Sequence, residues 1–154
     1  MNNVFADLRT KYFTLERAEH FPVPASASAP WGVVMEIGYP QAIVTTVTFA
    51  DGTVSVLRSS GGGFFGGGDE SVQNAGREFL QQAKICQPLM RLTTDFSSPK
   101  TGQVVFYIRT DSGVFTGSAS ESDLRVQSHP LFQFYSAGLR ILHEYLRLQK
   151  QAPK

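Results

Sequence analysis

Six glycines fall in the eight positions 61–68 and frame the pair Phe64-Phe65. The run leads into a stretch with helical periodicity that begins near Asp69. A glycine-rich turn before a helix is a place where backbone N–H groups can cradle an anion. The specific phosphate chemistry is missing, however. A phosphate loop needs Gly-x-x-x-x-Gly-Lys-Ser/Thr, whereas Gly63–Gly68 is followed by Asp69-Glu70, two carboxylates that repel a phosphate. Two readings remain for the segment. It is a flexible or tightly curved connection, or it is a binding element. In the second case Phe64 and Phe65 either fold back on the core or stand out as an apolar tip that meets a partner or a membrane surface. Gly63, Phe64, Phe65 and Gly66 are then the candidate contact residues.

Glu36 is the second unusual residue, a carboxylate inside the apolar run Val33-Val34-Met35-Glu36-Ile37. It either faces solvent on an edge strand or lines a pocket with Arg58, which lies on the same antiparallel meander. A pocket lined by Glu36, Arg58 or Tyr107, with shifted titration, would mark a small-molecule site. The remaining reactive side chains form no constellation. His20, His129 and His143 share no metal spacing, and His143-Glu144 lacks the second histidine of H-E-x-x-H because position 147 is Arg. His129 before Pro130 suits a structural hydrogen bond at a helix start, and His143 falls on the polar face of the last helix. Cys86 reads as a small buried hydrophobe, and no serine sits in a G-x-S-x-G elbow. No catalytic residue, metal site or cofactor is expected.

The elements that would position these residues follow from periodicity. Val4, Leu8, Tyr12 and Leu15 lie on one helical face over residues 3–19, with Phe5 and Phe13 beside it. The proline-, alanine- and serine-rich segment 21–31 is an extended connector that lets this helix dock at some distance or on a neighbouring subunit. Strands are expected at 32–38, 41–49 and 53–59, all rich in β-branched residues. Tyr39-Pro40 turns the first pair. Asp51-Gly52 signals a two-residue type I′ hairpin. A helix over 69–87, capped by Asp69 or Ser71, ends at Gln87-Pro88. A hairpin of 103–109 and 114–118 turns at Asp111-Ser112-Gly113, its first strand buried on both faces. A short helical turn opens at Ser120, and a long last helix runs from His129-Pro130 to about Gln149. The pattern predicts an α+β fold. One five-stranded, mostly antiparallel sheet (β-meander, helix, β-hairpin, long C-terminal helix) carries an extra N-terminal helix. Residues 1–20 form the N-terminal helix, 21–31 the linker, 32–149 a single domain and 150–154 a tail.

At 154 residues the chain can bury enough surface to fold without disulfides or metal, and its 42% apolar content can fill such a core. The net charge of +1 argues against nucleic-acid binding, which draws its affinity from many cations on phosphates. Charge is uneven: residues 124–154 carry Arg125, Arg140, Arg147, Lys150 and Lys154 against Glu144, a net +4, and the rest is −3. One cysteine excludes an internal disulfide. With no transmembrane segment or secretory leader in view, a cytoplasmic protein is expected.

The element order resembles the profilin-like group of folds, which includes longin, roadblock and SNARE-like domains, over about 32–149. The longin order is the nearer. The roadblock order differs in having two strands before the central helix and three after. Trp31–Pro40 and the Gly-Gly-Gly-Phe-Phe-Gly-Gly-Gly run also resemble segments of small bacterial proteins, a likeness that implies no activity. The profilin-like resemblance implies a scaffold for protein contacts that often dimerises, and no functional residue carries over from it. The expectation is therefore a non-enzymatic protein-interaction or regulatory domain, binding a protein partner or forming a homo-oligomer such as a dimer. The alternative is a small-molecule-binding domain or enzyme with its site near the loop 59–70.

Overall fold

The structure is a computed structural model that describes residues 3–14, 16–17, 21–66 and 69–151, with side chains for all of these apart from residues 3, 64–66 and 151. Three layers form around one antiparallel sheet. Its strands are β1 (Gly32–Gly38), β2 (Ile43–Phe49), β3 (Val54–Arg58), β4 (Gly63–Gly66), β5 (Arg91–Thr93), β6 (Gln103–Thr110) and β7 (Gly113–Ser120). They lie in the order β4-β3-β2-β1-β6-β7-β5. The fold is thus α+β, as the pattern predicts, but the sheet has seven strands, not five. The five expected strands are all present. The two extra ones are short and sit at the two edges, where backbone pairing with one neighbour suffices and β-propensity leaves little trace in the sequence.

The helices are α1 (Asn3–Thr14), α2 (Glu70–Cys86), α3 (Glu121–Leu124) and α4 (Phe132–Gln151), with a single 3₁₀ turn at Gln87–Leu89. Asp69 caps α2, its carboxylate accepting from the backbone N–H groups of Ser71 and Val72. Pro88 sits in the 3₁₀ turn that ends the helix. The last helix starts at Phe132, three residues beyond the expected His129-Pro130. The intervening turn is held by the Leu131 N–H donating to His129 Nδ1 at 3.0 Å.

Alternation along β1 divides the molecule. Val33, Met35 and Ile37 face α2 and α4, in a core with Phe79, Phe106 and Phe134. Phe106 stacks on Phe134 at 4.3 Å between centroids. Val34 faces the opposite side, in a second cluster with Phe5, Tyr12, Phe13, Val47, Val105 and Tyr107. Both faces of β1 and β6 are therefore covered, which explains why Val104–Thr110 is buried throughout. At Gly38 an added Cβ would lie inside contact distance of the Lys100 carbonyl, so the loop before β6 closes over bare glycine.

The cover on the second face is α1, packed on the sheet of its own chain. Its buried side chains are Phe5, Tyr12 and Phe13, with Leu8 and Arg9 partly buried, whereas Val4 is 65% exposed. The expected stripe of Val4, Leu8 and Tyr12 is rotated, because the larger area of Phe5 and Phe13 decides which face turns inward. Leu15, the fourth residue of that stripe, lies outside the described residues. The connector is pinned as well: Gln87 Nε2 donates to the Ser28 carbonyl at 2.7 Å, and the Ser112 N–H to that of Ala27 at 2.8 Å.

The Asp51-Gly52 hairpin forms, but with a different turn. Only Gly52 has positive φ, at 93°, and the Gly52 N–H donates to the Phe49 carbonyl. A type I′ turn requires positive φ at both central residues. The Asp51 carboxylate instead accepts from the Thr53 N–H at 2.9 Å, which stabilises a longer turn.

Candidate functional site

The residues singled out in the sequence separate into three places. Gly63, Phe64, Phe65 and Gly66 form β4, the end strand of the sheet, in register with Leu57, Val56, Ser55 and Val54 of β3. The glycine segment is therefore largely an edge hairpin, which corrects the expectation of a loop. Gly61 and Gly62 make its turn with φ of 110° and 79°, a region that glycine enters without steric penalty. Gly63 has a separate constraint, since a Cβ there would lie 2.6 Å from the Val56 carbonyl oxygen. The side chains of Phe64 and Phe65, together with Gly67 and Gly68, lie outside the described residues.

The start of α2 next to this hairpin is not an open anion cradle. Its first N–H donors are taken by Asp69. The Ser71 hydroxyl first, then the backbone N–H groups of Val72 and Ser71, hold the Asp69 carboxyl below the usual carboxylate range. An internal carboxylate occupies the position a phosphate would take.

Glu36 is fully buried on the central strand, neither on an edge nor beside Arg58. Alternation explains the separation: Arg58 shares the side of Val56, facing α2 and α4, while Glu36 points to the α1 side. Its partner comes from the N-terminal helix. Arg9 Nε donates to Glu36 Oε2 at 2.8 Å and Arg9 Nη2 to Oε1 at 2.7 Å, a bidentate pair. The Thr45 hydroxyl donates to Oε2 at 2.8 Å, and Arg9 Nη2 also donates to the Phe96 carbonyl at 2.6 Å. The Arg9 guanidinium lies 4.9 Å from the centroid of the Phe13 ring. Burial works against the Arg9 charge, but the hydrogen bond and charge of Glu36 outweigh it and the net shift is upward. Tyr107 completes the group. Burial first, and then the Glu36 charge, push its hydroxyl up to about 12. Phe13 stacks on Phe96 at 4.6 Å and meets Tyr107 edge-on at the same distance, closing the network from water. A carboxylate fully paired in this way is a fastening between α1 and the sheet, not a general base.

Arg58 is exposed at the end of β3 and lines two apolar grooves, one between α1 and the 61–63 turn and one between α4 and the sheet. At the far end of the sheet, a polar cleft of about 460 Å³ is lined by Trp31, Arg109, Thr110 and the Arg17–Asp111 ion pair. Arg109 there lies under the Trp31 ring at 4.7 Å and donates to the Tyr12 carbonyl. No spacing in the sequence connects Arg9 with Glu36 or Trp31 with Arg109. A charge inside each apolar pattern was the available signal.

Cys86 is buried, and burial pushes its thiol up, away from thiolate reactivity. His143 is exposed on α4, and His20 lies outside the described residues. Among the described residues no group of three His, Cys, Asp or Glu side chains is placed to hold a metal ion, and no helix is long and apolar enough to cross a membrane. No protein-family model, curated protein or solved structure matches the chain.

Proposed function

We propose that the chain is a non-enzymatic interaction domain that self-associates by pairing the β4 edge of two copies. One observation carries this reading: β4 ends the sheet, and its residues Gly63-Phe64-Phe65-Gly66 include no charge and no proline. Natural sheets blunt their edges with charges, prolines or bulges, because an open row of N–H and C=O groups templates pairing with another chain. This edge is short, four residues, but its glycine-framed aromatic pair carries no charge, proline or bulge and suits antiparallel addition of a second copy. The closure of both sheet faces by helices supports an interaction role over a deep catalytic pocket, as does the full pairing of Glu36.

Native mass spectrometry and light scattering of the full chain test the proposal. A dimer is expected, and Phe64→Lys, which puts a charge on the edge, is expected to yield a monomer with unchanged far-UV circular dichroism. A wild-type chain that stays monomeric at high micromolar concentration, or a Phe64→Lys chain that stays dimeric, rejects the edge-pairing reading.

A further inference from the structure

At the end of the sheet where β3 finishes and β2 begins, Arg58 stands between two apolar grooves on opposite faces. The groove on the α1 side measures about 280 Å³ and that on the α4 side about 210 Å³. Among the described residues, Arg58 is the one charged side chain lining either, and it makes no ion pair. The α4-side groove has rigid walls. Val44 and Val56 come from paired strands, and Leu142 and Tyr145 from the helix that packs on the main core. Leu146 forms its lip and is 54% exposed, an apolar side chain that the chain itself leaves uncovered. Glycine at position 62 contributes to the position of the charge. The Arg58 guanidinium nitrogen Nη2 lies 3.0 Å from where a Cβ would stand, so the side chain is laid across bare backbone of positive φ.

We infer that this α4-side groove takes the hydrocarbon tail of a small amphiphile whose anionic head, a carboxylate or a phosphate, rests on Arg58. A mostly apolar trough with a few polar groups, here Arg58 beside Tyr39, Tyr145 and Gln149, is the usual form of a small-molecule site. The groove's small volume, about 210 Å³, admits a short tail only. The charge selects the head: the Arg58 side chain that lines the groove favours an anion, and among the described residues no carboxylate lines it to oppose one. The site is independent of edge pairing by β4, and its occupancy is read on the full chain in whatever oligomeric state it adopts.

The test is calorimetric titration of the full chain with sodium octanoate, octyl phosphate and 1-octanol as separate probes. Both anions are expected to saturate one site, with octanol at least tenfold weaker, the weight of about 1.4 kcal/mol for one charge-assisted contact. The tighter of the two anions identifies the headgroup. Arg58→Gln is expected to bring the anions to the affinity of octanol and leave octanol unchanged. Leu146→Trp, which fills the lip, is expected to weaken all three probes by tenfold or more. Both positions are exposed, and thermal melts verify that the variants fold. Equal binding of octanoate and octanol to the wild-type chain overturns the inference. So does absence of saturation by either anion below its micelle threshold, or octanoate binding that Leu146→Trp leaves unchanged.

Discussion

Replacing Arg9 by alanine removes the guanidinium that neutralises Glu36. The carboxylate is fully buried, and the Arg9 side chain beside it is 14% exposed, so the pair is sealed between α1 and the sheet. After the substitution, Glu36 retains the Thr45 hydroxyl as its hydrogen-bond donor among the described residues. Breaking a buried pair from one side costs about 3–5 kcal/mol, because the remaining charge stays desolvated. Loss of the Phe13 ring contact adds about 0.5–1 kcal/mol, and the Phe96 carbonyl loses a donor at 2.6 Å. A total near 5 kcal/mol lowers the melting temperature of a domain this size by roughly 10–20 °C. Urea denaturation followed by circular dichroism measures the loss directly. The companion variant is Arg9→Met with Glu36→Gln, which removes both charges and keeps an amide oxygen for Thr45. It is expected to recover at least half of the loss, since a buried pair contributes little over a neutral replacement even when breaking it is costly. A loss below about 1 kcal/mol for Arg9→Ala, or a double variant no more stable than the single one, would refute the fastening of α1 by this pair.

Two further predictions concern the two faces of the sheet. Tyr107, with its hydroxyl pushed up to about 12, keeps its proton in the fold at pH values where the unfolded chain has lost it. Its contribution, ~3 kcal/mol for two pKa units, is fully present below about pH 10 and is lost as pH rises toward 12. Absorbance titration at alkaline pH should show a late step shared by Tyr107 and Tyr135, whose hydroxyl is also pushed up to about 12, and the step should shrink by one tyrosine in Tyr107→Phe; a step of unchanged size in that variant would contradict the assignment. On the other face, the Thr46 hydroxyl is buried without a hydrogen-bond partner among the described residues. Thr46→Val keeps the shape and removes the orphaned group, so a gain of about 1 kcal/mol in urea denaturation is expected, and a comparable loss would show that the hydroxyl is satisfied.

Local signals were enough for the frame of the molecule. The spacing of Val72, Ala75, Phe79 and Ala83 fixes α2, and Asp69 marks its start, because both depend on residues within one or two turns. Gly52 and Gly113 likewise mark hairpins through positive φ, although the 49–52 turn differs in type from the expected one. The N-terminal helix was legible as a helix but not in its facing, since a stripe with Arg9 at its centre does not register as apolar. Its meaning depends on Glu36, which lies 27 positions away and reads by itself as a solvent-facing or pocket residue. Each charge violates its own pattern, and the two together satisfy one another. Nothing local to either strand or helix states that relation.

The glycine segment was misread for a different reason. Glycine is depleted in strands because it loses more backbone freedom on ordering and packs no side chain, so composition argued for a loop. The strand forms because Gly61 and Gly62 accept positive φ and return the chain antiparallel to β3. Gly63 then approaches the Val56 carbonyl so closely that a Cβ would stand 2.6 Å from the oxygen. At that position glycine is what permits the pairing, and a residue of high strand propensity would prevent it. The same substitution-intolerant turn carries Arg58 across its surface at Gly62. Three of the six clustered glycines thus have separate geometric reasons, two at positive φ and one at a close approach, and together they place an uncharged strand at the sheet edge and a cation beside an apolar groove.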